Sequence, residues 1–200
     1  MITAITSLPD PEASAYKISF SDGSVCSIRT SYLPPEYQKL PREKDEEEDE
    51  QEKEEKIRFA GECFEAELAA LRLIARAEQT GRGLTAKLER RGHNPEAARQ
   101  AVSRLSALGT VSDRRYAEVW LEDRVSRKAE SPRRLLAALR GRGIDRKTAE
   151  SALKSALTLE AEARLLQGYM EHIALEGPAL KRTLKQEGFS SGAIQAVFED

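Results

Sequence analysis

The sequence contains little of what catalytic and metal-binding sites depend on. Among its 200 residues are two cysteines, two histidines and one tryptophan, and aromatic residues make up 6%. The cysteines, Cys26 and Cys63, form no Cys-x-x-Cys pair and lie far from both histidines in sequence. Reduced thiols are therefore the expected state, with a zinc site or a disulfide as the rarer alternatives. The scarcity of aromatic residues also argues against a large ring-lined pocket.

Long apolar runs are absent as well. No uninterrupted apolar segment approaches the length that spans a bilayer, and residues 1–6 show no basic region followed by an apolar one. We therefore expect a cytoplasmic protein with no membrane partner. The Gly81-Arg82-Gly83 segment has neither a preceding strand nor the Gly-Lys-Ser/Thr ending of a phosphate-binding loop, and no Ser/His/Asp arrangement is visible. The sequence predicts neither an enzyme nor a bound cofactor or metal.

The net charge of -2 conceals two regions of opposite sign. Residues 43–56 contain ten acidic residues and three lysines, whereas residues 82–147 contain seventeen Lys or Arg and eight Asp or Glu. The acidic run cannot bury apolar surface, which predicts a linker over residues 41–58. Two alternatives are that the run extends the helix that follows it, and that it is an acidic arm competing with nucleic acid for a basic face.

Residues 1–40 have the alternating pattern of β-strands. Tyr16, Ile18 and Phe20 alternate with polar residues, as do Cys26 and Ile28 after an Asp-Gly turn. The alternation predicts a hairpin that pairs Phe20 with Cys26 and Ile18 with Ile28 across a three-residue loop. Because an isolated hairpin is marginally stable in water, we expect it to pack against something or to pair with another strand.

From residue 59 to the end, apolar residues recur at helical spacing, and one sequence pattern occurs three times. A leucine stands eight residues before a glycine, another stands four before it, an apolar residue stands ten after it, and a capping residue follows within two positions. The three glycines are Gly92, Gly143 and Gly188, separated by 51 and 45 residues. A helix that ends in a tight turn needs a left-handed residue, which glycine supplies most easily. Such spacing is typical of a helical repeat.

The predicted fold is all-α, with three tandem three-helix repeats forming an elongated, curved array behind a small N-terminal β-hairpin. We refer to each repeat as a triplet. The first two segments are a hairpin over 1–40 and an acidic linker over 41–58. The triplets then cover 59–110, 111–157 and 158–200, and their leading helices are expected at about 62–79, 113–128 and 158–174.

The middle triplet resembles a known family. Residues 112–124, Ser-Asp-Arg-Arg-Tyr-Ala-Glu-Val-Trp-Leu-Glu-Asp-Arg, resemble the Asp-x-x-Tyr-Ala-x-x-Trp-x-x-x-Arg stretch of the RecX family. The segment from Ser131 to Ile144 resembles the next segment of that family, and residues 87–92 of the first triplet resemble its Lys-Leu-x-x-basic-Gly phrase. The resemblance covers residues 62–200. It implies a non-enzymatic regulator that binds the RecA recombinase filament and restrains strand exchange, ATP hydrolysis and coprotease activity, affecting DNA repair and the SOS response. We expect the chain to be a monomer.

The candidate partner-binding residues are a helical Tyr/Trp pair and the local excess of basic side chains. Tyr116 and Trp120 are four residues apart and share a helix face with Arg124, where core packing is the alternative role. The basic residues can meet acidic patches of a protein filament or phosphates of DNA, and the sequence leaves both open. The full set is Arg82, Lys87, Arg90, Arg91, Tyr116, Trp120, Arg124, Arg127, Lys128, Arg133, Arg134, Arg140 and Arg142.

Two other functions remain compatible with the sequence. The chain can be a helical nucleic-acid-binding module that acts independently of RecA, for which partner-free, salt-dependent DNA binding is diagnostic. It can also be a helical scaffold for another protein.

Overall fold

A computed structural model of the chain describes residues 1–9, 14–38 and 50–199. In these residues the strands are β1 (Ile2–Ser7), β2 (Ala15–Phe20) and β3 (Val25–Arg29), followed by short 3-10 helices at Thr30–Tyr32 and Pro35–Tyr37. The α-helices are α1 (Glu50–Ile74), α2 (Gly81–Glu89), α3 (Pro95–Ala107), α4 (Asp113–Arg127), α5 (Pro132–Gly141), α6 (Arg146–Ala156), α7 (Leu159–Met170), α8 (Gly177–Gln186) and α9 (Ser191–Glu199). The mainly helical fold is as predicted, and the predicted N-terminal hairpin is part of a three-stranded sheet. Within the described ranges, no helix has both the length and the apolar character that crossing a membrane requires.

The chain forms two compact units. The first contains Met1–Ala77 and Leu84–Val111, and the second contains Glu78–Gly83 and Ser112–Asp200. The finer division into five segments predicted from the sequence stays a prediction.

The N-terminal sheet of the first compact unit has three antiparallel strands in the order β1-β2-β3. The predicted hairpin is β2 and β3, but its predicted register is wrong by two residues, because Ile18 pairs with Cys26 and Tyr16 pairs with Ile28. The backbone N–H of Phe20 donates to the Ser24 carbonyl, so the loop between them has the three residues expected. A shift of two residues keeps every side chain on its predicted face, which is why the alternation alone did not reveal the error.

One face of this sheet packs on α1. Ile18, Phe20 and Ile28 form a buried cluster with Ile57 and Ala60 of the helix. Residues 50–58, assigned from the sequence to the linker, are the first turns of α1, in line with the alternative that the acidic run extends the following helix. The rest of the predicted linker, residues 41–49, lies outside the described residues.

A buried ion cluster joins the sheet region to the helices of the first compact unit. The Glu67 side chain is 3% exposed, and its carboxylate lies 3.2 Å from Arg29 Nε and 3.5 Å from Arg104 Nε. The Tyr32 hydroxyl donates to Glu67 Oε2 at 2.6 Å. The Arg29 guanidinium also lies over the Phe64 ring, 5.1 Å from its centroid. Residues from β3, α1, α3 and the first 3-10 helix therefore meet at one carboxylate.

The second compact unit has one apolar core shared by its six helices. The core runs from α4 through α9, and its most buried members include Leu121, Leu139, Leu166 and Leu184. Three of its helices have side-chain caps, and those at Asp145 and Ser190 are the capping residues predicted after the repeated glycines. The Asp145 and Thr158 side chains accept from the Thr148 and Ala161 N–H groups, and Ser190 Oγ accepts from the Ala193 N–H.

The repeated glycines adopt the left-handed conformation that the sequence predicts. Gly92, Gly143 and Gly188 have φ values of 89°, 91° and 89°. After each glycine, the next residue donates its backbone N–H to the carbonyl of the leucine four residues before the glycine. This is the paired hydrogen bonding of a Schellman motif, so His93 fills the same turn position as Ile144 and Phe189.

A repeated contact links the second helices of successive triplets within the second compact unit. Ser131 Oγ accepts from the Arg134 N–H and donates to Glu187 Oε2 at 2.6 Å, while the Arg133 N–H donates to the Glu187 carbonyl. The equivalent Thr80 Oγ1 accepts from the Gly83 N–H and donates to the Arg142 carbonyl at 3.0 Å. Each hydroxyl therefore caps its own helix and holds the residue that ends the second helix of the next triplet. The N-terminal end of one second helix therefore hydrogen-bonds to the C-terminal end of the next, where backbone groups have no partner within their own helix.

Gly143 and Gly188, which follow α5 and α8, lie at these contacts between second helices. A Cβ added at Gly143 would approach the Arg82 Cβ to 2.6 Å, and one added at Gly188 would lie 3.5 Å from the Arg133 nitrogen and Pro132 Cβ. At Gly92, a Cβ would have nothing within 4 Å. Glycine at position 143 therefore permits both the backbone turn and the close approach.

Candidate interaction surface

Tyr116 and Trp120 lie on the buried side of α4. Both side chains are half-buried and pack against the apolar core of the second compact unit. The Arg142 guanidinium lies 4.6 Å from the Trp120 ring centroid and that of Arg124 lies 5.6 Å from it. Arg124 also pairs with Glu130. These contacts give Tyr116, Trp120 and Arg124 an internal packing role, which is the alternative that the sequence left open.

Arg142 also makes its contacts within its own compact unit. Its guanidinium donates to the Ala138 carbonyl at 2.7 Å, and its own carbonyl accepts from Thr80. The contact of the Arg142 guanidinium with the Trp120 ring is a cation–π interaction, which contributes about 0.5–1 kcal/mol at an exposed site. Arg142 therefore holds α5 against α4 in addition to contributing positive charge.

The exposed face of α5 carries the arginines best placed to meet a partner. Leu135 and Leu139 are fully buried, and the helical period turns Arg133, Arg134 and Arg140 to solvent. The first turn of α5 contains no acidic residue. Two arginines near a helix N-terminus oppose the helix dipole, so helix stability does not account for their presence.

The three arginines of α5 differ in their contacts. Arg133 is 69% exposed and lies 3.6 Å from Glu187 Oε1, a long ion pair. Arg134 and Arg140 make no ion pair with any residue in the described ranges. These two side chains therefore offer positive charge that is not already neutralised nearby.

The basic residues that end α4 are exposed. Arg127 pairs with Asp123 on the same helix at 2.9 Å, where both side chains are mostly solvated. Lys128 is the C-cap residue, and its backbone N–H donates to the Arg124 carbonyl. Exposed i,i+4 pairs contribute only about 0.3–0.5 kcal/mol, so Arg127 remains available to an incoming acidic group.

The four basic residues predicted in the first triplet do not form one set. Arg82 lies in the second compact unit and packs beside Gly143, whereas Lys87, Arg90 and Arg91 lie in the first. Arg90 Nε donates to the Ala86 carbonyl of its own helix. Counted from the closing glycine, Arg82 and Arg91 match Arg133 and Arg142, while Lys87 and Arg90 match Ala138 and Gly141.

The structure adds a basic helix that sequence reasoning missed. Lys181, Arg182 and Lys185 are exposed on α8, which has no acidic residue within Gly177–Gln186. Lys181 lies 5.0 Å from the Phe198 ring centroid. Comparing net charge helix by helix among the equivalent second helices would have revealed this set, because α5 and α8 contain basic residues and no acidic ones.

Chemically, these helices offer positive charge without catalytic groups. Among the described residues, no group of three or more His, Cys, Asp or Glu is arranged to hold a metal ion. Cys26 and Cys63 are free thiols, and burial raises the pKa of Cys63 to about 12. The cationic surface of the second compact unit, defined here as the exposed basic residues of α5 and α8, suits acidic or phosphate-bearing partners. The fold and this surface define a protein of three-helix units that carries basic helix faces.

The comparisons with known proteins agree on one family. A family model described as RecX, second three-helix domain, matches residues 112–153. A Regulatory protein RecX of Treponema pallidum subsp. pallidum is 31% identical over 140 residues, covering 68% of this chain and 85% of that protein. The Regulatory protein RecX of Halorhodospira halophila is 40% identical over 137 residues, covering 64% and 83%. The chain belongs to the RecX family.

Two solved structures share the fold. A crystal structure of regulatory protein RecX matches with a TM-score of 0.65 and 19% identity, over 100% of this chain and 98% of that one. The crystal structure of RecX from Lactobacillus salivarius matches with a TM-score of 0.54 and 20% identity, over 69% and 95%.

Proposed function

We propose that this chain binds the RecA recombinase filament and restrains its strand-exchange, ATPase and coprotease activities. Membership of a family whose named members are regulatory proteins carries the proposal. The chain then acts in the cytoplasm as a regulator and not as an enzyme, with consequences for DNA repair and the SOS response.

The cationic surface is the proposed contact. Arg134 and Arg140 on α5, with Arg182 and Lys185 on α8, are exposed and make no ion pair with a described residue. Charge complementarity between such a surface and acidic patches of a filament chiefly increases the association rate and the specificity. Inhibition should accordingly weaken as the salt concentration rises.

Titration of the RecA ATPase on single-stranded DNA tests this proposal. The unaltered chain is expected to inhibit hydrolysis at near-stoichiometric or lower ratios. Combining Arg134→Glu with Arg140→Glu should shift the inhibition curve by about tenfold or more, because several charge contacts are reversed together. No inhibition by the unaltered chain at any ratio would contradict the proposal.

A matched control is available on α6. Lys147 and Lys154 are exposed there and make no ion pair with a described residue. The double variant Lys147→Glu, Lys154→Glu changes the net charge equally and should inhibit as the unaltered chain does. Equal loss in both double variants would assign the effect to overall charge and remove α5 from the contact.

Direct contact with DNA is the second candidate. The exposed face of α5 bears arginines beside the small residues Ala137 and Gly141, without an exposed aromatic or large aliphatic side chain. Such a face suits phosphates, whose binding weakens steeply with salt. Fluorescence anisotropy with labelled DNA at physiological salt, in the absence of RecA, measures this contribution.

A further inference from the structure

A cleft in the second compact unit is lined by no residue of α5 or α8. It has a volume of about 750 Å³ and is formed by α4, the end of α6 and the first half of α7. Its floor is apolar, with Leu121 and Leu165 buried and Val125 half-buried. Clefts of this volume are typical of sites that enclose a side chain or a small ligand.

Small residues keep the cleft open. Ala129, Ala152, Ala156 and Ala161 line its walls, where longer aliphatic side chains would fill the space. The apolar core beneath it is otherwise continuous from α4 to α9. The alanines lie on α6, on α7 and in the loop after α4. The cleft therefore exists because small side chains line it at several places, and not because the backbone bends at one place.

The charged groups on the rim differ in whether they are already paired. Arg127 pairs with Asp123 at 2.9 Å, and Glu118 pairs with Arg114 at 2.8 Å. Lys128 and Arg164 are exposed and make no ion pair with a residue that the structure describes. The free charge beside the apolar floor is therefore mainly positive, with Glu122 as the opposing carboxylate.

We propose that this cleft binds a peptide segment of a partner protein in which a large apolar residue is flanked by acidic residues. The apolar side chain occupies the floor over Leu121 and Leu165, and the flanking carboxylates meet Lys128 and Arg164. Burial of an aromatic side chain supplies affinity, while the two cations orient the segment. The cleft is a second surface, and it binds such a segment whether or not RecA is the partner.

Fluorescence anisotropy with a labelled peptide, Asp-Glu-Asp-Phe-Glu-Asp-Glu, tests the cleft without RecA. The unaltered chain should bind this peptide, and replacing Phe by Ser in the peptide should weaken binding by about tenfold or more, because the buried ring is lost. Equal binding of the two peptides would show attraction to charge alone and overturn the proposal, as would no binding at millimolar protein.

Variants of the chain locate the binding. Lys128→Glu with Arg164→Glu should weaken binding by about tenfold or more, whereas Lys147→Glu with Lys154→Glu should leave it nearly unchanged. Ser155→Trp places a ring in the cleft from an exposed position and should block the peptide. Circular dichroism shows whether each variant is folded. Unaltered affinity in folded Ser155→Trp protein would place the peptide elsewhere and refute the cleft.

Discussion

Both compact units bury apolar clusters, but they surround their buried carboxylates differently. The first buries a carboxylate, Glu67, among two arginines and a tyrosine that come from separate elements. The second buries a continuous apolar core, and its buried carboxylate, Glu162, makes no ion pair with a described residue but accepts from the backbone N–H and the hydroxyl of Ser190 at a helix start. An apolar core tolerates exchange of its exposed charges, whereas a buried charge must keep its partners.

Exposed charged residues can be exchanged during evolution more easily in the second compact unit than residues that pair with the buried carboxylate of the first. In the second compact unit, Arg134 and Arg140 can change without unpairing any buried group, because neither takes part in an internal ion pair with a described residue. In the first, replacement of Arg29 or Arg104 removes a partner of a carboxylate that is 3% exposed. Substitutions in each compact unit therefore test this difference through the free energy of unfolding.

Loss of the buried carboxylate should have the largest effect. Glu67→Ala removes the carboxylate that lies between Arg104 and Arg29, whose side chain is 8% exposed. Removing one member of a buried ion pair costs about 3–5 kcal/mol, so the free energy of unfolding should fall by that amount. Urea denaturation followed by circular dichroism measures it.

Glu187→Ala is the counterpart in the second compact unit. Its carboxylate accepts from Ser131 and lies 3.6 Å from an exposed arginine, so the expected loss is about 1–2 kcal/mol. A loss at Glu187 equal to or larger than that at Glu67 would contradict the contrast between the units.

Alanine at the repeated glycines should reveal the close approach at Gly143. The left-handed φ is nearly the same at Gly92 and Gly143, so each alanine variant carries about 1–2 kcal/mol of backbone strain. Gly143→Ala should cost about 1–3 kcal/mol more, because its Cβ overlaps Arg82. Thermal unfolding measures both variants. Equal losses would show that the Arg82 contact is absent, and Arg82→Gly in the Gly143→Ala background should recover the additional part.

Removal of the hydroxyl that joins the second helices should have a moderate effect. Ser131→Ala removes both the cap of α5 and the hydrogen bond to Glu187, with an expected cost of about 1–2 kcal/mol. Glu176 occupies the equivalent position before α8 and makes no side-chain cap hydrogen bond, so Glu176→Ala should change stability little. A similar loss in both variants, measured by urea denaturation, would refute the role of the hydroxyl.

Alkaline pH should weaken the first compact unit through Tyr32. Burial, and then the hydrogen bond to Glu67, raise the pKa of Tyr32 above its usual 10.0. Its contribution to stability is therefore complete below about pH 10 and is lost as the pH rises further, because the unfolded chain releases the proton first. Unfolding measured from about pH 8 to about pH 11 checks this.

Tyr32→Phe separates this contribution from the others. The variant loses a hydrogen bond, about 1 kcal/mol, at neutral pH, but its stability should decline less steeply above about pH 10. Some decline remains because burial also raises the pKa of Cys63 in the first compact unit and that of Tyr169 in the second. Identical pH profiles for the variant and the unaltered chain would exclude ionisation of Tyr32 as a cause.

Periodic features of the fold were predictable from the sequence, and contacts between distant residues were not. The glycine turns and the caps at Asn94, Asp145 and Ser190 depend on neighbours within a few residues, so local patterns predicted them. The register of β2 on β3 depends on the turn, and the burial of Glu67 depends on residues up to 38 positions away along the chain. Alternation and helical spacing carry no information about either.

The candidate surface shows the same limit. The sequence identified the arginines of α5, because three stand on one short helix. It did not separate them from Arg124 and Arg142, whose contacts with Trp120 arise only when α4 and α5 pack together. The basic residues of α8 lie beyond residues 82–147, where the excess of positive charge is concentrated, so the regional charge balance does not reveal them.

Co-sedimentation with RecA filaments, assembled on single-stranded DNA with a non-hydrolysable ATP analogue, is the most direct test of the proposed role. The chain should sediment with the filaments, and should sediment much less with the same DNA in the absence of RecA. The Arg134→Glu, Arg140→Glu variant should remain largely in the supernatant, whereas the Lys147→Glu, Lys154→Glu variant should sediment normally. Equal sedimentation with filaments and with bare DNA, or no sedimentation with filaments, would contradict the assignment of this chain as a RecA-filament regulator.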